Sequence, residues 1–336
     1  MAEFRQWREV NRVLLKDVVP LETPYNVSME LSSFCNFKCI YCAHSKPDHG
    51  QYLGNMSNEM IYKIVEDLKE FPTKIKKINL FGFGESLCNP NFPQILGIIN
   101  KSGLAEAVEF TTNGLLLTKD RIDAILDNGG IDTIRISLQG LSGEAYKKIC
   151  GVNIDFDEFI SNLSYLYKKK GKMKLRMKIA DIAIQDETDG RQKYEELFGN
   201  IADSIYVEQI LPIYEGMDYD AINPNINKNS LNGRMNIHQD KQNLVCHRAF
   251  YRMRIRANGD VTAACCDATN DVKYGNVYQD SLYNIWNGNV HKSFLRLLLE
   301  GRRFEHPMCK DCVMPNDITS EADILDPWAE EILKRI

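Results

Sequence analysis

The sequence predicts an α/β chain: a partial (β/α)6 TIM-like barrel followed by a small C-terminal region that contains a β-hairpin. Apolar runs of strand length alternate six times with helix-period patterns between residues 25 and 208. Such alternation implies right-handed βαβ units and a parallel sheet. Six units in about 190 residues fall short of the closed eight-unit barrel of about 250 residues. Further on, Asn258-Gly259 stands between two short apolar runs, and Asn-Gly is the strongest short hairpin signal.

In chain order, residues 3–19 read as an amphipathic helix with Trp7, Val10, Leu14 and Val18 on one stripe, ended by Pro20 and Pro24. We therefore set residues 1–22 apart as an N-terminal helix and place the barrel at 23–210. Its strands are expected at 25–31, 75–81, 108–112, 131–138, 173–183 and 204–208. Its helices are expected at 58–71, capped by Ser57, and at 92–102, 119–127, 142–149, 155–170 and 191–198. Residues 211–245 lose periodicity and gain Asn, Asp and Gly, as a linker or covering segment would. A hairpin within 250–264, a short apolar stretch at 282–286 and a helix near 290–300 fall in a unit at 246–316, and 317–336 form a tail or helix.

The 336 residues are 44 % hydrophobic and carry a net charge of −5, with both signs interspersed. That disfavours nucleic acid as the main partner, and the basic run at 168–172 reads as a solvated turn. No apolar stretch reaches membrane-spanning length and the start lacks the form of a signal peptide. A cytoplasmic location without a membrane partner is the expectation. Ten cysteines in a reducing compartment then point to metal, redox work or catalysis before disulfides.

Cys35, Cys39 and Cys42 form a C-x3-C-x2-C run just after the first strand. A cubane iron–sulfur cluster takes four thiolates, so three would leave one iron open to a non-protein ligand. A zinc knuckle completed by His44 or His49 is the competing reading. The second strand ends in Gly82-Phe-Gly84-Glu85-Ser86. Its glycines allow a ligand close to the backbone, and Glu85 can accept hydrogen bonds from an ammonium group. On the fifth strand Arg176 and Lys178 share one face. A second cysteine group, Cys246, Cys265-Cys266 and Cys309-x2-Cys312, could close a cluster or a zinc ribbon.

Together these motifs resemble the radical S-adenosylmethionine (radical SAM) superfamily, with a C-terminal SPASM or shorter twitch extension, over about residues 22–315. The resemblance implies a [4Fe–4S] cluster on Cys35, Cys39 and Cys42, with S-adenosylmethionine on its open iron and Tyr41 against the adenine. It assigns cofactor contacts to Gly82, Gly84 and Glu85, with Ser86 where proline is usual, and to Asn113 of a Thr-Asn-Gly turn. Ser137 and Gln139 would meet the ribose or the methionyl carboxylate, and Lys178 a carboxylate. A second [4Fe–4S] cluster would sit on Cys246, Cys265 (or Cys266), Cys309 and Cys312. The five cysteines of this region are too few for two auxiliary clusters. Cys150 reads as a packing residue, and Cys88 as either a packing residue or a hydrogen-atom donor.

The expected activity is dehydrogenation of a small polar molecule, a sugar, aminocyclitol or nucleotide sugar, with the auxiliary cluster accepting the electron. The alternatives are a radical epimerase of a sugar or peptide with a cysteine donor, and a peptide-modifying (RiPP) maturase. The short segment before the first strand leaves no room for a peptide-recognition domain, which favours a small molecule. Flavodoxin or ferredoxin would supply electrons.

Overall fold

The computed structural model describes residues 2–4, 12–46, 52–185, 188–211, 217–223, 242–262, 272–318 and 320–336. Its strands are β1 (Glu3–Phe4), β2 (Asn26–Met29), β3 (Ile75–Leu80), β4 (Ala105–Thr112), β5 (Thr133–Leu138), β6 (Lys174–Ala180), β7 (Ser204–Glu208), β8 (Arg252–Ile255), β9 (Asp260–Thr262) and β10 (Lys273–Asn276). They form one sheet in the order β1-β7-β6-β5-β4-β3-β2-β8-β9-β10. Pairing is parallel from β1 through β8 and antiparallel across β8-β9-β10. The helices are α1 (Leu15–Val18), α2 (Asn58–Leu68), α3 (Phe92–Ser102), α4 (Lys119–Asp127), α5 (Gly143–Cys150), α6 (Phe156–Lys169), α7 (Gly190–Phe198), α8 (Tyr219–Ile222), α9 (Leu282–Asn287), α10 (Asn289–Leu299), α11 (Pro307–Lys310) and α12 (Ala329–Leu333). Among the described residues no helix is long and apolar enough to cross a membrane.

The barrel follows from local chemistry. Ser57, Thr118, Ser142 and Asp155 each accept a hydrogen bond from the backbone amide three residues on, which fixes the starts of α2, α4, α5 and α6. Successive strand residues face opposite ways. Val27, Met29, Ile78, Leu80, Phe110, Ile134, Ile136, Leu175, Met177 and Ile179 turn toward the helices and form the main core. In the register, the alternate face carries Lys77, Arg135, Lys174, Arg176, Lys178, Arg252, Arg254, Arg256 and Lys273 against Glu3, Glu30, Glu109, Glu208 and Asp260. In a chain of net charge −5 the inner face of the sheet is therefore positive.

Three expectations need correction. The helix over 3–19 is not formed as such: Glu3–Phe4 pair with the free edge of β7, and α1 covers only Leu15–Val18. Leu14 is exposed, while Leu15 and Val19 pack against Leu295, Leu298 and Ile332 of α10 and α12. Pairing the β7 edge and covering those C-terminal helices outweighs a helical stripe; Trp7 and Val10 lie outside the described residues. The strand over 173–183 ends at Ala180, where a tight turn, Asp181–Ala183, begins. There the Asp181 carboxylate accepts from its neighbour's amide and from Ile210 N, so it terminates the ladder.

The third correction concerns the hairpin, expected inside a separate C-terminal unit. It continues the barrel sheet, because β8 pairs in parallel with β2 from Asn26↔Arg252 to Met29↔Ile255. Gly259 takes φ 86° at its turn, a conformation that excludes most side chains. Most of the linker 211–245 and the pair Cys265-Cys266 lie outside the described residues, as does His49.

Candidate active site

The C-x3-C-x2-C loop leaves β2 at the carboxyl end of the sheet, where ligands of parallel α/β folds sit. Three neighbours fix its path. Ser33 exchanges hydrogen bonds with Gly54. Phe34 O accepts from Glu85 N at 2.7 Å. Lys38 N and Ile40 N donate to Cys150 O and Ile149 O, each at 3.0 Å. The last carbonyls of a helix have no partner within it, and α5 ends at Gly151 with φ 72°, which leaves them open to the loop.

Cys35, Cys39 and Cys42 are all partly buried. Burial pushes the Cys42 thiol up to about 11 and Cys35 higher still, and the neighbouring Cys150 with burial raises Cys39. Deprotonation there is coupled to binding of a cation. Cys150, read from sequence as packing, is buried with its sulfur 3.7 Å from that of Cys39. The rival zinc donor His44 is bonded through Nε2 to Ser33 O at 2.8 Å. Among the described residues no three His, Cys, Asp or Glu side chains converge as a ready metal cage. What this loop offers is an all-thiol donor set on eight residues, the ligand chemistry of an iron–sulfur cluster.

The Gly82–Ser86 loop packs directly on the cysteine loop. A Cβ on Gly84 would lie 2.6 Å from Phe34 O and closer still to Ser32 O. Gly84→Ala is therefore expected to push the two loops apart at a cost of about 1–3 kcal/mol, in the range of an overpacked core. The iron bound after anaerobic reconstitution checks it: retention at the wild-type level would show that the contact yields. Glu85 is buried, and its carboxylate accepts from Leu87 N at 3.0 Å and Asn113 N at 2.7 Å. Burial raises its pKa, so those amides face a carboxylate with little solvent to help it. Ser86, where proline is usual, closes the loop by donating from Oγ to Leu80 O at 3.0 Å. Asn113 Nδ2 reaches Asn36 Oδ1 of the cysteine loop at 2.7 Å. Glu85 and Asn113 thus lock the ends of β3 and β4 to the cysteine loop.

The remaining expected residues ring the same end. The Tyr41 hydroxyl donates to Gln139 Oε1, and Gln139 Nε2 donates to Ser137 O at 3.2 Å, which ties the loop to β5. Lys178 forms an ion pair with Glu208 of β7, and Arg176 lies two residues earlier on the same face. Cys88 is half-buried; its thiol lies against the Asn36 backbone amide and is raised by burial. Arg121 of α4 holds that segment through Leu87 O and Asn89 O.

One group escaped the sequence reading. Glu30, 1 % exposed, accepts from Phe83 N at 2.8 Å and sits 3.4 Å from both Arg254 Nη2 and Arg256 Nε. Arg254 and Arg256 are 2 % and 4 % exposed and stack on Phe83. Nε and Nη1 of Arg254 are buried without a hydrogen-bond partner among the described residues. The signal was present: Arg252, Arg254 and Arg256 alternate just before Asn258-Gly259, so a strand must place all three on one face.

In the second cysteine group, Cys246 and Cys312 are partly buried and Cys309 is buried. Their segments are clamped together beyond the cysteines. Asn243 N donates to Asn316 Oδ1 at 2.9 Å, Asn243 Nδ2 to Pro315 O at 3.0 Å, and Arg248 Nη2 to Asp317 Oδ2 at 2.6 Å.

A thiol loop at the mouth of a parallel barrel, locked to glycine–glutamate and Thr-Asn-Gly loops, defines a cluster-dependent enzyme, and comparison with known proteins agrees. The family model for the radical SAM superfamily matches residues 29–188, and that for an iron-sulfur cluster-binding domain, SPASM, matches 246–313. The chain carries a radical SAM domain and a C-terminal SPASM region; its cofactors are S-adenosylmethionine and [4Fe–4S] clusters.

A GTP 3',8-cyclase of Clostridium perfringens is 27 % identical over 209 residues, 62 % of each chain. A probable GTP 3',8-cyclase of Methanococcus maripaludis is 35 % identical over 128 residues, 38 % of this chain and 41 % of that one. The chain thus spans about two fifths to three fifths of the length of these curated relatives. A tungsten-containing aldehyde ferredoxin oxidoreductase cofactor-modifying protein of Pyrococcus furiosus is 23 % identical, across 90 % of this chain and 91 % of its own. Among solved structures, BtrN in complex with AdoMet and 2-DOIA superposes with TM-score 0.54 at 18 % identity, over 89 % of this chain and 97 % of that one. Streptococcus suis SuiB bound to S-adenosylmethionine gives TM-score 0.62 at 17 % identity, over 91 % and 74 %. These likenesses show the fold.

Proposed function

We propose that the chain is a radical SAM oxidoreductase that dehydrogenates a small, negatively charged polar substrate, with a nucleotide sugar the best match among the candidate classes. The β2–β8 pairing carries this reading, because it joins the second cysteine group to the sheet that holds the first. Cys246 lies six residues before β8, and Arg248 ties that segment to Asp317 beyond Cys312, an attachment that suits an electron acceptor better than a remote structural clip. When bound, the open-iron cluster and S-adenosylmethionine supply a 5′-deoxyadenosyl radical. Tyr41, Gly84, Glu85, Asn113, Ser137, Gln139 and Lys178 would order the loops around that cofactor. Oxidation of a substrate carbinol to a ketone removes one hydrogen atom, one hydroxyl proton and one electron; a cluster held by Cys246, Cys309 and Cys312 would supply the acceptor for that electron.

The charge of the inner face supports the substrate class. Arg254, 2 % exposed, keeps Nε and Nη1 buried without a hydrogen-bond partner among the described residues, and a buried cation with unmet donors favours an anionic partner. A cationic aminocyclitol would meet repulsion. Anaerobic turnover with dithionite, S-adenosylmethionine and a panel of neutral sugars, aminocyclitols and nucleotide sugars tests it, scored by 5′-deoxyadenosine and ketone. Nucleotide sugars should give both. Turnover of an aminocyclitol alone would overturn the anionic reading.

A second reading, radical epimerisation, draws on Cys88, whose thiol lies against the cysteine loop. If it holds, Cys88→Ala should still form deoxyadenosine but no epimer, and wild-type product made in deuterium oxide should carry deuterium. Dehydrogenation predicts neither, and Cys88→Ala then keeps ketone formation within about threefold of wild type, under 1 kcal/mol of barrier.

A further inference from the structure

We infer that Arg303 is the counter-ion of the auxiliary cluster and holds its reduction potential up, an assignment that rests on the reading of Cys246, Cys309 and Cys312 as cluster ligands. Arg303 is 1 % exposed. Its Nη1 donates to Cys309 O at 2.6 Å and to Cys312 O at 3.1 Å, so one edge of the guanidinium grips the C-x2-C loop by its backbone. Nε and Nη2 are buried and have no hydrogen-bond partner among the described residues. The carboxylates nearest in sequence are engaged elsewhere: Glu305 with Arg302, Asp311 with Lys310 and Asp317 with Arg248.

A buried guanidinium without an anion is costly. Born desolvation of a single ion leaves a penalty of several kcal/mol even after relaxation, and each unmade hydrogen bond adds about 1–3 kcal/mol. A fold keeps such a group where an anion arrives later. A [4Fe–4S] cluster on four thiolates is dianionic when oxidised and gains a further negative charge on reduction. A guanidinium fixed against the loop that carries two of those thiolates meets both needs. The cation stabilises the reduced form more than the oxidised form, and so raises the potential. Hydrogen bonds and nearby charge are recognised levers on cluster potential. A positive tuning residue also suits the acceptor role, since the cluster takes one electron from the substrate radical. Arg303 is a positioning and tuning residue here, with no contact to substrate required.

The test uses the full chain in the Cys35/Cys39/Cys42→Ala background, which leaves the auxiliary site alone, reconstituted anaerobically and titrated by electron paramagnetic resonance. Arg303→Gln should lower the potential enough to cut the reduced-to-oxidised ratio at fixed solution potential at least tenfold, which is 59 mV for a one-electron couple. Arg303→Lys, which keeps the charge and loses the fork, should stay within half of that shift. Loss of the cluster from Arg303→Gln and its retention by Arg303→Lys also supports the inference, because charge is then the deciding property. An unchanged potential in Arg303→Gln overturns it, as does loss of the cluster from both variants, which would reduce Arg303 to a backbone clamp. Absence of iron from the parent background would instead overturn the cluster reading itself, independently of Arg303.

Discussion

The Cys35/Cys39/Cys42→Ala variant is expected to bind about four irons after anaerobic reconstitution where the wild-type chain binds about eight, one cubane being lost and one kept. S-adenosylmethionine cleavage should fall to the background of the reductant alone. The effect is large because the three residues stand on one eight-residue loop whose anchors, Gly54, Glu85 and the end of α5, are separate from the thiols. Removing the sulfurs leaves the fold its supports. The same circular dichroism spectrum with half the iron is the predicted pair of results. Retention of all the iron would place the first cluster elsewhere.

Glu30→Ala is expected to cost about 3–5 kcal/mol of stability, the range for removing one partner from a buried ion pair. Two guanidiniums, 2 % and 4 % exposed, would lose their shared acid, and Phe83 N and Ala257 N would lose an acceptor. Glu30 joins the end of β2, the glycine loop and the hairpin, so the hairpin should detach first. A fall in the urea midpoint would report the loss, and cleavage by a protease near residues 250–262 would locate it. Glu30→Gln keeps the shape but not the charge, and should recover less than half of the loss. A change under about 1 kcal/mol would put Glu30 in the class of exposed pairs.

The parts legible in the sequence were those where local pattern and tertiary demand coincide. The spans 119–127 and 204–208 form α4 and β7 with the same limits, because Thr118 caps the helix and Asp203 accepts from Leu175 N beside the strand's start. The cysteine loop and its glycine–glutamate companion were legible because few residues can serve there: a side chain on Gly84 meets backbone on two sides. The role the structure gives Glu85, binding two backbone amides, was not legible, since those amides come from its own loop and from β4.

The failures have a common cause. The stripe over 3–19 was overridden by pairing with the edge of β7, some 200 residues away. The hairpin was recognised, but its parallel pairing with β2 depends on a partner no local pattern reveals. Cys150 was read as a packing residue and is buried in the main core, but nothing near it in sequence says that α5 ends against the cysteine loop with this sulfur beside Cys39. Glu30 is a single acid after a strand, and its meaning appears only when Arg254 and Arg256 arrive from β8.

The central claim is that the inner face at the carboxyl end of this sheet is where a substrate carbon loses hydrogen to a deoxyadenosyl radical. Its most direct test is anaerobic turnover of a nucleotide sugar deuterated at its oxidisable carbons, with mass analysis of the 5′-deoxyadenosine formed. The account predicts one deuterium per deoxyadenosine, one ketone per deuterium transferred, and neither product from the Cys35/Cys39/Cys42→Ala variant. Deoxyadenosine that forms at the same rate without substrate and carries no deuterium would contradict it.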